Sequence, residues 1–511
     1  DMFKIKPLVA ALFALSAAQA YAADRSDASV VQNGNQQEAT IYQAGSNQYS
    51  SSVQLGHINK VTVDQFGRGQ DLEAYQDGEG NTLEALQTGR SNSIETSSVG
   101  DWNDIDAEQR GTGNDLSVEQ TDWNNDAVIV QKEFYNDAEV IQSGWNNEVS
   151  VHQEGSFNDA LAEQVKTESS KASIYQKGYA NDATTYQSGS LSTATINQDG
   201  TLNKARAEQT GNRNAADIEQ DGVTNLAFSS QSGTDGSVEI DQVGGGNYAS
   251  AMQSGSDNGS VIDQSGGVNL AYSDQGGSDN SSSIDQDGTA NWARSSQHGT
   301  DGTVDIEQDG ELNVAIAEQL EHGNDANITQ EGVANRGKVG QWGSNNDTDL
   351  EQYGEGNLAN VSQWGSSNLA DVFQDGALFS HLSVRGNLEY GRKRARAGRQ
   401  VVVMDEVVTL LGLEKLLDRG VGAELLPCPL QQPHQELLAG VAELRLLAQA
   451  AFERQHGGRG GVGDERAAVV AARCQPVEVD GTPGQTPDHR RAGQRDRHVG
   501  APVGATQVTD R

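Results

Sequence analysis

From Gln32 to Gln374 a glutamine returns every eleven residues, broken only by Ser98 and by one step of twelve between Gln164 and Gln176. Gly stands two places after the Gln slot in 28 of 32 cases, and Asn five places after it in 24. Self-similarity at a fixed period belongs to solenoids and arrays. There each unit is one supersecondary element that buries its apolar face only by stacking on its neighbours.

Within one step, counting the Gln as position 0, positions 1–4 read x-Gly-x-x with frequent Asp, Asn and Ser, which is turn chemistry. Positions 5–11 alternate: Asn at 5, Ala, Val, Leu or Ile at 7, a small or aliphatic residue at 9, the next Gln at 11, with charged, hydroxylic or aromatic residues between. Alternation of period two predicts a strand with one buried face. A second period overlies the first. Position 9 holds Ile196, Ile218, Ile240, Ile262, Ile284, Ile306, Ile328 and Leu350 in every other step, while Ala207, Ser229, Ala251, Ser273, Ser295, Ala317, Val339 and Val361 fill the steps between. The unit is therefore 22 residues, strand–turn–strand–turn, with larger apolar residues on one strand facing smaller ones on the other. The expected fold is all-β: a two-sheet cross-β solenoid of about sixteen rungs, roughly 75 Å long at a rung spacing of ~4.8 Å. Buried amides are costly unless bonded, but amides in register at strand spacing bond to one another. The absence of Pro from the array fits strands that all lie inside ladders.

Composition divides the chain. Residues 1–376 carry 17 Lys/Arg against 57 Asp/Glu, whereas residues 377–511 carry 18 against 16 and hold both cysteines, Cys428 and Cys474. An array this acidic repels nucleic acid, and without cysteine it has no disulfides. The expected domains are a signal peptide over 1–23, an N-terminal segment over 24–31, the repeat solenoid over 32–376 and a non-repetitive tail over 377–511. The leader reading rests on Lys4 and Lys6 before an apolar stretch from Leu8 to Ala18, followed by Ala20-Tyr21-Ala22; that stretch is too short to span a bilayer. The tail carries two segments with helical apolar spacing, 405–418 and 435–454. It reads either as a product of translation in a wrong frame or as a capping or anchoring domain.

The pattern resembles the curlin repeat of bacterial curli amyloid fibres, Ser-x5-Gln-x-Gly-x-Gly-Asn-x-Ala-x3-Gln. Gln76-Asp77-Gly78-Glu79-Gly80-Asn81 with Gln87 matches its centre, and Gln352-Tyr353-Gly354-Glu355-Gly356-Asn357-Leu358-Ala359 with Gln363 matches over that span. Gln209-Thr210-Gly211 with Asn214, Ala216 and Gln220 lacks the second Gly. The likeness covers about residues 32–376. It implies a secreted structural subunit that polymerises with itself into surface fibres for adhesion and biofilm. It further implies a nucleator subunit and outer-membrane secretion machinery as partners, in a Gram-negative-type bacterium. The array is much longer than is usual in that family, and its tail has no counterpart there.

The residues expected to form the stacked core are Gln43, Gln76, Asn81, Gln87, Gln209, Asn214, Gln220, Ile240, Ile262, Ile284, Gln352, Asn357, Gln363 and Asn368. An outward column of acids precedes the Gln in alternate steps: Glu219, Asp241, Asp263, Asp285, Glu307 and, after Thr329, Glu351. It reads either as a repulsive ladder that delays assembly until acid, salt or divalent cations relieve it, or as an ordinary solvated face. No catalytic constellation, cofactor motif or metal-ligand spacing is present, and His57, His152, His298 and His322 are assigned no site. The competing reading is a monomeric, capped β-solenoid adhesin.

Overall fold

In the computed structural model the described residues are 25–375. The expected leader over 1–23 and the expected tail over 377–511 lie outside them, and with them the expected helices at 405–418 and 435–454. Thirty-two strands run from β1 (Asp27–Asn35) and β2 (Glu38–Ser46) to β31 (Leu358–Ser366) and β32 (Leu369–Asp375). They form two sixteen-stranded sheets, one of all odd-numbered strands and one of all even-numbered strands. Every pairing is parallel, and a residue meets its counterpart one unit on: Gln43 pairs Gln65, and Ile240 pairs Ile262. The described segment is thus a β-solenoid of sixteen rungs, with no helix among these residues.

Eleven residues make half a turn because only two of them leave the strand. The strands are longer than the seven residues that alternation predicts: they run on through the Gly and the residue after it, nine residues in all. The reason lies in the stacked glycines. Gly200 pairs Gly222 directly, and a Cβ on Gly200 would lie 2.0 Å from the Gly222 carbonyl oxygen. With φ of 128° at Gly200, only glycine sits there without strain, and its bareness lets the ladder continue across the bend. The corner residue two places on is left-handed whatever its type, as at Trp102 (φ 61°), Leu191 (59°) and Val268 (61°). Left-handed backbone costs an L-residue about 1–2 kcal/mol. Here a hydrogen bond to the previous rung opposes that cost; the Trp102 N–H donates to the Glu79 carbonyl at 2.8 Å.

Between the sheets, aliphatic residues interdigitate large against small. Ile196, Ile218, Ile240, Ile262 and Ile284 on the even sheet are fully buried, as are Ala207, Ser229 and Ala251 on the odd sheet. The extra residue between Gln164 and Gln176 is absorbed in β13 (Asp159–Glu168), where the register shifts on both sides and Lys166 takes a left-handed φ of 54°. Stacking resumes beyond it. Five further odd strands matter below: β19 (Leu226–Thr234), β21 (Tyr248–Ser256), β23 (Leu270–Ser278), β25 (Trp292–Thr300) and β27 (Val314–His322). The even strands beside them are β18 (Ala215–Val223), β20 (Ser237–Gly245), β22 (Gly259–Gly267), β24 (Ser281–Thr289) and β26 (Thr303–Glu311).

Candidate functional site

Most core Gln side chains use both amide protons. Gln43 Nε2 donates to Gln65 Oε1 at 2.9 Å and to the Asp27 carbonyl of the facing sheet at 3.1 Å. Gln220 does the same toward Gln242 Oε1 (2.8 Å) and Lys204 O (3.1 Å), and Gln209 toward Gln231 Oε1 and Thr193 O, both at 2.9 Å. The side chain therefore ties successive rungs together and also ties one sheet to the other. On the even sheet the amide chain is unbroken from Gln43 through Gln87 and Gln352 to Gln374. On the odd sheet Ser98 interrupts it: Gln76 keeps its bond to Lys60 O, and the Ser98 hydroxyl reaches Gln120 Oε1 at 3.5 Å.

Asn stitches the corners. Asn81 Nδ2 donates back to Asp77 O and forward to Gly100 O, while its Oδ1 accepts the Asn103 backbone N–H at 3.0 Å. Asn214 bonds Thr210 O and Gly233 O and accepts from the Gly236 N–H. Eleven of the fourteen core residues named from sequence are fully covered. Gln363 is 6% exposed, and Asn357 and Asn368, in the last rung, are half-buried for want of a rung above.

All these amides point one way, so the two ends differ. At the N-terminal rung Gln43 Oε1 accepts no hydrogen bond from the described residues. At the C-terminal rung Gln363 and Gln374 each donate, among the described residues, only to a carbonyl, of Asp347 and Leu358, so one amide proton of each meets no described acceptor. The Oδ1 atoms of Asn357 and Asn368 likewise face off that end, where no described residue donates to them. One end thus offers what the other lacks.

The outward acids stack as the register dictates: Glu219 on Asp241, Asp241 on Asp263, Asp263 on Asp285, Asp285 on Glu307, and then Thr329 and Glu351. Partial burial first, and the neighbouring carboxylates second, raise the pKa of Asp241 and of Asp285. A second acidic column escaped sequence reading. Asp115, Asp137, Asp159 and Asp182 stack on the odd sheet and end at Lys204, whose ammonium lies 2.6 Å from Asp182. Asp159 is pushed up to about 6 by desolvation, then by Asp182 and Asp137. The signal was available in sequence, as an Asp following the corner Asn at steps of 22, 22 and 23 residues. Among the described residues no group of three or more His, Cys, Asp or Glu is placed to hold a metal ion, and no helix is long and apolar enough to cross a membrane.

Nine stretches of this chain match the curlin associated repeat: 144–178, 167–200, 192–222, 211–242, 233–266, 261–288, 283–310, 299–332 and 322–354. Relatives of a different kind match over short lengths. A 48-residue stretch is 58% identical to the molybdenum import ATP-binding protein ModC of Thiobacillus denitrificans, covering 9% of this chain and 13% of that protein. A 51-residue stretch is 51% identical to ModC of Aromatoleum aromaticum, and an 87-residue stretch is 39% identical to ModC of Saccharophagus degradans. The chain spans 13–14% of the length of the first two and 24% of the third. Matches this partial do not indicate an enzyme.

Proposed function

Since this chain belongs to the curlin-repeat family, a family of structural proteins, we propose that it is a secreted subunit that stacks end to end into curli-like amyloid fibres serving surface adhesion and biofilm. The observation that carries the reading is the complementary pair of ends. Among the described residues each terminal rung has a strand neighbour on one side only, and such an edge is a template for another chain. Head-to-tail stacking brings the Gln363 and Gln374 amide protons that meet no described acceptor to an N-terminal rung where Gln43 Oε1 accepts from no described residue. It also brings backbone N–H groups to Asn357 and Asn368. Head-to-head stacking sets acceptor against acceptor. The buried Gln, Asn and Ile columns are, on this reading, the structural machinery of the fibre, and no residue has a catalytic role.

The acidic column from Glu219 to Glu351 acts in this proposal as a brake on assembly. Two carboxylates at rung spacing repel by about 1 kcal/mol even in a water-like dielectric, and protonation or counterions relieve them. A leader over 1–23, read from Lys4, Lys6 and the apolar stretch after them, completes the reading, together with export across the outer membrane and a nucleating subunit by family likeness. Incubation of the purified mature protein, followed by thioflavin T fluorescence, electron microscopy and fibre diffraction, tests it. Unbranched fibres with a meridional reflection near ~4.8 Å are expected. A persistent monomer at micromolar concentration, with no such reflection, overturns the proposal in favour of a capped adhesin.

A further inference from the structure

Over the stretch from β18 to β27 the outward faces of the two sheets differ in kind. In the three outward slots before each Gln the five even strands carry eight carboxylates, among them Asp217, Glu239 and Asp305 beside the column already described. The same slots of the five odd strands carry two carboxylates, Asp274 and Glu318, and nine large apolar or aromatic side chains. Eight of these form two adjoining columns, Leu226-Tyr248-Leu270-Trp292-Val314 and, around Ser250 and Arg294, Phe228-Tyr272-Ile316, set in register by the parallel pairing. They lie over one another: the Tyr248 and Tyr272 rings are 5.4 Å apart, and Leu270, though outward, is only 7% exposed. Elsewhere on the odd sheet the outward face is acidic or mixed, as in β9 (Asp115–Trp123) and β11 (Asp137–Trp145).

We propose that this patch, centred on Phe228, Tyr248, Tyr272, Trp292 and Ile316, is a lateral docking face for the same patch on a second copy of this chain, and that it joins fibres in pairs. The proposal rests on the fibre reading above. Five strands at ~4.8 Å by about 14 Å of outward strand give roughly 350 Å² per copy, or about 700 Å² for two. Stable two-protein interfaces bury about 1,200–2,000 Å² in total. Two free subunits therefore do not hold together through this face. In fibres the patch recurs once per subunit, so the contacts of two fibres lying side by side act together. The charge distribution fixes the partner and the number. An even face against an odd face buries carboxylates under aromatic rings, and even against even sets acid on acid, so only odd against odd is favourable. Each fibre has one such face, and association stops at two.

The test uses the mature full-length chain and the triple variant Phe228→Asp, Tyr272→Asp, Ile316→Asp. These substitutions copy the acidic outward slot of the even sheet and leave the inward face untouched. Thioflavin T kinetics and electron microscopy first establish that both proteins form fibres; if the wild type forms none, the fibre reading fails and this proposal with it. Mass per length is then measured by scanning transmission electron microscopy. Wild-type fibres are expected at twice the mass per length of the variant, with growth rates equal within about twofold and both proteins monomeric before assembly. Three results overturn the proposal while leaving the fibre reading intact. They are single wild-type fibres, pairs that survive the triple variant, and pairs that appear only after residues 377–511 are deleted, since then the tail is the occupant. Loss of binding to an insoluble polysaccharide in the variant, with pairing unchanged, assigns the patch to a carbohydrate instead.

Discussion

The even sheet places Ile at the same inward slot in strand after strand, fully buried at Ile196, Ile218, Ile240, Ile262 and Ile284, and carboxylates on its outer face at the same rungs. The odd sheet reverses both choices, with Ala or Ser inward at Ala207, Ser229, Ala251 and Ser273, and Phe228, Tyr248 and Trp292 outward. Backbone and register are the same in both. From β18 to β27 the inward residues follow a volume rule, one large beside one small in each rung, and the core Gln and Asn need partners for their amides. Outward residues answer to neither rule, so the two faces have diverged in charge and polarity.

That contrast predicts a ranking of substitutions. The largest effect is expected at the stacked glycines, which serve both sheets. Gly222→Val sets a Cβ near 2.0 Å from the Gly244 carbonyl oxygen at a φ of 126°. It should destabilise the surrounding rungs by more than about 3 kcal/mol, read as lost hydrogen-exchange protection in β18 and β20. Next is the even-sheet core, where Ile262→Ala should cost about 2–5 kcal/mol through a cavity that a rigid stack cannot close. An equal loss from the outward substitution Val261→Ala would break the inward–outward contrast. Gln242→Leu comes next in cause though close in size. It strands one donor of Gln220 and the acceptor of Gln264, at about 1–3 kcal/mol each, and the urea midpoint of the mutant gives the sum.

On the odd sheet the sign should invert. The Ser229, Ser273 and Ser295 hydroxyls are buried with no hydrogen-bond partner, so Ser273→Ala should raise stability by about 1 kcal/mol. Smallest is an outward charge. Asp159, raised to about 6 in the fold against an ordinary 3.8, binds its proton more tightly folded than unfolded. Its stabilising contribution is therefore complete below about pH 4 and lost as pH rises through about 6. The urea midpoint should fall between pH 4 and pH 7, and that fall should shrink in Asp159→Asn. An unchanged profile in the variant would show that the column beside Asp137 and Asp182 carries no strain.

The solenoid was legible because each rung repeats the same constraint. Gln43 and Gln65, 22 residues apart, are equivalent in sequence and adjacent in space, so one period supplies strand, register and facing sheet together. Less was legible at the site. The eleven-residue spacing does not say where the second Gln proton goes; the bond from Gln220 to Lys204 O spans sixteen residues and depends on the separation of the sheets. Nor does it give the direction of the amide chain, from which the unlike ends follow. The left-handed corners at Leu191 and Val268 run against residue preference, because inter-rung hydrogen bonds override it. The Asp115–Asp182 column was spaced in plain view but is acidic only where four neighbouring odd strands coincide. The outer apolar patch needed the odd and even strands to be sorted onto separate faces before its continuity appeared.

The alternation of large and small inward residues has a bearing on how such an array changes length. Duplicating or deleting 22 residues returns every later strand to its own sheet with its surroundings intact. Duplicating or deleting eleven keeps all the Gln and Gly slots but exchanges the sheets downstream, stacking Ile262 and its followers under alanines and serines and mixing the two surfaces. Genetic slippage in this repeat should therefore leave survivors that differ by whole coils, and the parity of each strand should be inherited along with its residues.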